Sequence, residues 1–282
     1  MKRKIKKLKE LENPLPMYEW SRLQEKGKYI VDDIKKKWNK LLITKHNEEV
    51  YQSYISEHAG FFFGNLSECY FSISKLKLSN EFITDFVNAF DGHSNGINYN
   101  FIEIEIPHRS PFLKNGNPSA RLTGAIQQIL NWKNWIANHR TEIRDILPSV
   151  GHRVYKNPNI TFTIFIGNRK NSEKWLERRI ELSKEINISI RSFDYLTDLL
   201  ERRFIHNYVW TLSAELNELH ESILNGLANP FYKSYSDKAW RNILLEMNHY
   251  SHFTAHNSEI LLNNRRYNKS FDKFLKVYEK LK

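Results

Sequence analysis

The stretch YNFIEIEIP at residues 99–107 alternates so regularly that an extended strand is the conformation that sorts its side chains. Successive residues of a strand point to opposite faces. Ile102, Ile104 and Ile106 therefore share one face, and Glu103 and Glu105 the other. The runs around it follow from that register. EFITDFVNAF (81–90) precedes it across the turn cluster DGHSNG (91–96), so the two runs are expected to pair as a hairpin. CYFSISKLKL (69–78) is a further strand-like run. Upstream, HNEEVYQSYISE (46–57) places Val50, Tyr54 and Glu57 at helical spacing, with Asn47 as cap and Glu48 and Glu49 in the first turn. Downstream, Asn117 and Pro118 lead to Ser119, a cap for a helix over 119–140 that carries Trp132 and Trp135. A buried strand ITFTIFIG (160–167), a helix (172–187), a short strand ISIRSF (188–193) and a helix (194–203) follow. This order predicts an α/β core with a mixed sheet.

Three segments are expected: a helical N-terminal part (1–45) interrupted at Pro14 and Pro16, the α/β domain (46–203), and a helical C-terminal region (204–282). The 40% hydrophobic and 13% aromatic content supports a real core, and 10 Gly and 8 Pro argue against long disordered linkers. The single Cys69 excludes a disulfide framework and a cysteine-built zinc site, which fits a reducing cytoplasm. No apolar run approaches the roughly 18 residues of a membrane span. The basic start MKRKIKKLKE has no apolar segment behind it and does not read as a secretory signal. A net charge of +11 and a pI near 9.5 point to a polyanionic partner, nucleic acid first, against a merely solvated basic surface.

The glutamates of 103 and 105 have a bland explanation, an edge strand with one wet face. Asp85 argues against it. It lies inside the apolar run FITDFV, and a buried aspartate is costly unless paired or bound to a cation. The hairpin brings Asp85 toward Glu103, and converging carboxylates repel until a divalent cation relieves them. Hard oxygen donors favour Mg²⁺ or Mn²⁺, which can activate water and stabilise a phosphodiester transition state. His249, His252 and His256 share a helical face, but a metal site there would need further ligands and groups to orient them, and Asn263-Asn264-Arg265-Arg266-Tyr267 reads as a phosphate contact or simply as a polar turn. There is no glycine-rich phosphate loop and no serine nucleophile elbow.

Taken in order, the pieces of 46–200 resemble the PD-(D/E)XK nuclease domain of Shedu-type antiphage defence proteins. They are YISEHAGFF, TDFV, Glu103-Ile104-Glu105-Ile106-Pro107, AIQQILNWKNW, FTIFIG and SFDYLTDLL. The resemblance implies a restriction-endonuclease-like mixed sheet flanked by helices. It also implies metal-dependent cleavage of DNA, with phage DNA as the target, in a homo-oligomer. It assigns Asp85 and Glu103 to Mg²⁺ or Mn²⁺, Glu105 to the attacking water, Gln128 to water or phosphate, and Glu49 to the metal as an accessory ligand. Gln127 is the weaker candidate, because only Gln128 has an aromatic, Trp132, four residues on. For Glu49 the alternative is compensation of the helix dipole. The chain departs from the family where a lysine is expected, since Glu105 stands there. Two other readings stay open: a nuclease-like module that only binds or senses nucleic acid, and an assembly protein joined through 204–282. The apolar Trp210, Leu212, Leu216, Leu219, Ile223 and Leu224 motivate the second.

Overall fold

The computed structural model describes residues 32–63, 70–91, 95–147 and 159–200. The expectations for Cys69, for His249, His252 and His256, for 263–267 and for the whole of 204–282 lie outside these residues.

Five strands form one mixed sheet in the order β1-β2-β3-β4-β5. They are β1 (Tyr70–Ser74), β2 (Phe86–Asp91), β3 (Ile97–Ile104), β4 (Ile160–Phe165) and β5 (Ser189–Arg191). β1, β2 and β3 pair antiparallel, as expected of the hairpin, and β3, β4 and β5 run parallel. Parallel pairing demands long crossovers. The helices α4 (Ala120–Asn138) and α5 (Arg140–Ile146) lie between β3 and β4, and α6 (Arg169–Ser172), a 3₁₀ turn (Glu173–Trp175) and α7 (Leu176–Ile186) between β4 and β5. Ahead of the sheet come α1 (residues 32–43), α2 (Glu48–Glu57) and α3 (Ala59–Phe62); α8 (residues 193–200) follows it.

β3 is therefore the central strand, not an edge. One of its faces meets α4, where Phe101 lies 6.5 Å from Trp132 between ring centroids. The other is covered by α1, α2, α3 and α8 through an aromatic cluster of Trp38, Tyr51, Tyr54, Phe62 and Phe193. The fold thus reaches further back than the boundary drawn at residue 46. Trp38 is fully buried, and its Nε1 donates to Thr197 Oγ1 at 2.9 Å.

Local chemistry explains the boundaries. Ser119 caps α4 by accepting from Leu122 N. The expected strand over 81–90 begins only at Phe86. Lys75 breaks the β1–β2 ladder with a left-handed φ of 54°, and the ladder resumes as a single bridge, Lys77 to Ile83. Gly167 (φ +70°) turns the chain after β4, and a Cβ there would lie 2.8 Å from Asn171 Oδ1 and 3.1 Å from Arg109 O. Only glycine fits that turn, which seats the loop 107–118 against the end of β4.

Candidate active site

Strand direction gathers the charged residues. β1, β3, β4 and β5 all end at one edge of the sheet, and β2 begins there. Lys75, Asp85 and Glu105, each one residue beyond its strand, are thereby placed on that edge with Glu103. Continued by one step, the β2–β3 register sets Asp85 across from Glu103.

The two carboxylates are 3% and 5% exposed. Asp85 Oδ2 accepts from Ile104 N at 2.8 Å, and Oδ1 is paired with Lys75 Nζ at 2.5 Å. Gln128 Nε2 donates to Glu103 Oε2 at 2.9 Å. Glu105 Oε2 meets Arg121 Nη1 at 3.0 Å. Gln128 and Arg121 both belong to α4, seven residues apart, so one helix face serves both strand glutamates. Gln127 is exposed and donates instead to Asn131 at 3.1 Å.

The helix carboxylate facing this cluster is Glu48, not Glu49. Adjacent helical residues point about 100° apart; Glu48 turns inward and half-buried, while Glu49 is exposed. The ionisation of the group records its setting. Burial, then Asp85 and Glu105, pushes Glu48 up to about 7. Burial, then Asp85, Glu48 and Glu105, drives Glu103 far above the usual carboxylate range, and its side chain also hydrogen-bonds to Asp85. Burial raises Glu105 as well, and the Arg121 guanidinium pulls part of the way back. Four carboxylates, Glu48, Asp85, Glu103 and Glu105, thus face two cations, Lys75 and Arg121. With all four ionised the cluster would carry two negative charges in excess, which protons on Glu103 and Glu48 or one dication would neutralise.

A belt of positive charge adjoins it. Burial, then Arg109, Lys45, Arg121 and His46, pushes the His108 imidazole below its ordinary value, and its Nδ1 is buried with no partner among the described residues. Sequence reasoning missed Lys75, Arg121, Glu48 and this belt. The β1–β2 register, continued by one step, sets Lys75 across from Asp85, and that pairing was not among those expected.

The donor chemistry suits a hard divalent ion, although among the described residues no group of three or more is arranged to hold one. Mg²⁺ does not require three, because it characteristically takes one or two carboxylates and completes its shell with water and substrate phosphate.

Fold and site together define the class: an α/β protein with a mixed five-stranded sheet and a buried carboxylate cluster at the strands' common end. The family follows from sequence comparison. The model for "Shedu protein SduA, C-terminal" matches residues 45–197, more than half of the 282, and the chain belongs to that family of defence proteins. No curated protein and no solved structure matches it. Among the described residues no helix is long and apolar enough to cross a membrane.

Proposed function

We propose that the chain is a metal-dependent DNA endonuclease of the PD-(D/E)XK fold acting in antiphage defence. The observation that carries this reading is the buried Asp85–Glu103 pair, held by Ile104 N and Gln128, in which Lys75 pairs with Asp85 and no cation of the described residues pairs with Glu103. Asp85 and Glu103 would hold Mg²⁺ or Mn²⁺, with Glu48 alongside in the accessory role that the family resemblance assigned to Glu49. When bound, such an ion supplies charge neutralisation at the scissile phosphate and a more acidic water. Gln128 orients the Glu103 carboxylate, and Arg121 holds Glu105 in position. The belt of Lys45, His46, Arg109 and Arg121 draws the phosphate backbone toward the carboxylates, in keeping with the +11 charge.

The test is incubation of plasmid and linear DNA with the protein in Mg²⁺, in Mn²⁺ and in chelator, beside Glu103→Gln. Metal-dependent cleavage lost in Glu103→Gln, with DNA binding retained, is the expected result. Absence of cleavage by the wild type with either ion sinks the nuclease reading.

A second reading, a module that binds nucleic acid without cutting it, is favoured by one feature. Lys75 and Arg121 already occupy oxygens of Asp85 and Glu105. The same experiment separates the two, since a binding module retains DNA in chelator and never cuts.

A further inference from the structure

Across the loop 107–118 from the carboxylates lies a cavity of about 640 Å³, within the size range of small-molecule sites. Its wall joins two chemistries. Phe112, Leu113 and Trp175 form an apolar shelf, and Lys114, Lys170 and Lys174 surround it with ammonium groups against a single carboxylate, Glu173. None of the three lysines is paired with a carboxylate among the described residues. The Trp175 ring is held by packing alone. Phe112 lies 6.0 Å away between centroids, Lys174 Nζ stands 5.0 Å over the ring, and Gly116 (φ +83°) comes so close that a Cβ would be 3.3 Å from it. Its Nε1 has no hydrogen-bond partner among the described residues. Leu113 is 51% exposed although it is a large apolar side chain beside this shelf.

An aromatic and aliphatic shelf ringed by unpaired cations suits a planar, apolar-faced ligand that carries negative charge. The position narrows the class. The loop leaves β3 just after Glu105, is tied to the cavity wall by Asn171 Nδ2 donating to Pro107 O at 3.0 Å, and returns to Arg121, which pairs with Glu105. One loop thus joins the cavity wall to the carboxylate cluster, and a chain molecule seated in the cavity would follow it toward Glu105.

We infer that this cavity is a nucleotide subsite, taking one unpaired nucleotide with its base on the Trp175–Leu113 shelf and its phosphate among Lys114, Lys170 and Lys174. A paired base is stacked within its duplex, so the ligand is a single-stranded or frayed segment. The subsite rests on the nuclease reading only in supposing that the strand continues to Glu103.

The experiment measures anisotropy of a labelled oligothymidylate in chelator, for the wild-type chain, Trp175→Leu, Trp175→Phe, Lys114→Ala with Lys174→Ala, and Glu103→Gln. Base–aromatic stacking predicts at least about fivefold weaker binding for Trp175→Leu and a loss within about twofold for Trp175→Phe. The lysine pair should flatten the salt dependence, because each phosphate contact contributes to its slope. Thymidine 5′-monophosphate as competitor distinguishes the sources: displacement means that a free nucleotide suffices, and its failure means that the pocket reads a nucleotide within a strand. Oligothymidylate binding unchanged in Trp175→Leu, or reduced equally in Trp175→Phe, overturns the inference. If the wild type cuts DNA and Trp175→Leu still binds normally, the subsite fails and the nuclease reading stands. If the wild type cuts nothing and Trp175→Leu loses binding, the reverse holds.

Discussion

Glu48→Gln removes one carboxylate from the cluster at nearly constant shape, and its effect on stability can be worked from the site. Glu48 ionises at about 7 in the folded protein against 4.5 for the free side chain. Because the folded-state value is raised, the native protein binds the proton more tightly than the unfolded chain, and stability falls as pH rises. The penalty is absent below the unfolded value of 4.5, grows between 4.5 and about 7, and is complete above that. At about 1.4 kcal/mol per pH unit the ceiling is about 3 kcal/mol. Glu48 is only half-buried, and solvent screening brings the expected gain for Glu48→Gln to about 1–2 kcal/mol at about pH 8. Urea unfolding of both proteins at about pH 4 and about pH 8, without divalent metal, reads the difference directly. Near pH 4 the two should coincide. Glu49→Gln is the control: Glu49 is exposed, so its substitution should stay within about 0.5 kcal/mol at either pH. A gain of equal size at both pH values, or a loss at the higher one, would refute the electrostatic account.

Gly167→Ala should destabilise by more than about 1 kcal/mol, since it forces a Cβ into a left-handed turn within 3.1 Å of Arg109 O. Gly124→Ala, in the exposed face of α4 with nothing within 4 Å, should stabilise by about 0.5–1 kcal/mol; thermal unfolding measures both. Gln128→Ala strips the Glu103 carboxylate of its amide donor and should cost about 1–3 kcal/mol in chemical unfolding, whereas Gln127→Ala should be near neutral. Glu105→Gln should abolish DNA cleavage while leaving fold and DNA binding intact, as nicking assays and circular dichroism would report. DNA affinity measured by titration should fall steeply with added salt, because the lysines and arginines release condensed counterions.

The alternation of YNFIEIEI made the central strand legible, and the hairpin register made the meeting of Asp85 with Glu103 legible too. The aromatic four residues after Gln128 singled out the amide that bonds to Glu103, because Trp132 faces the sheet and Gln128 shares its helix face. What failed were choices that depend on which way a helix is rolled. Glu48 and Glu49 are equivalent in a capping pattern, and only the docking of Tyr51, Gln52 and Ile55 onto the sheet decides which turns inward. The role of residues 32–43 was hidden for the same reason, since Trp38 acquires its partner Thr197 across 159 positions. Polar residues within the apolar strands were also passed over. On the face opposite Glu103, Ser72 bonds to Asn88, and Thr163 Oγ1 donates to Asn100 Oδ1 at 3.0 Å. Pairing across the sheet satisfies these groups, and a linear pattern does not record it.

The charge arrangement separates a structural cluster from a ligand-seeking one. Asp85 and Glu105 each have a cation, Lys75 and Arg121, and neither needs anything further to be tolerated where it lies. Glu103 is different. Its partners are the Gln128 amide and the Asp85 carboxylate, neither of which compensates a charge on Glu103, so the group holds its proton. Burying an unpaired carboxylate costs several kcal/mol, and an apolar or amide residue in the central strand would avoid that cost. A fold organised only for stability has no use for the glutamate at this position. Helix α4 nevertheless presents an amide to Glu103 and a guanidinium to Glu105 from one face, so the strand and the helix are matched around a carboxylate. A group fixed in orientation and buried beside three other carboxylates takes a proton in the isolated protein, and under the proposed function a dication would take that proton's place.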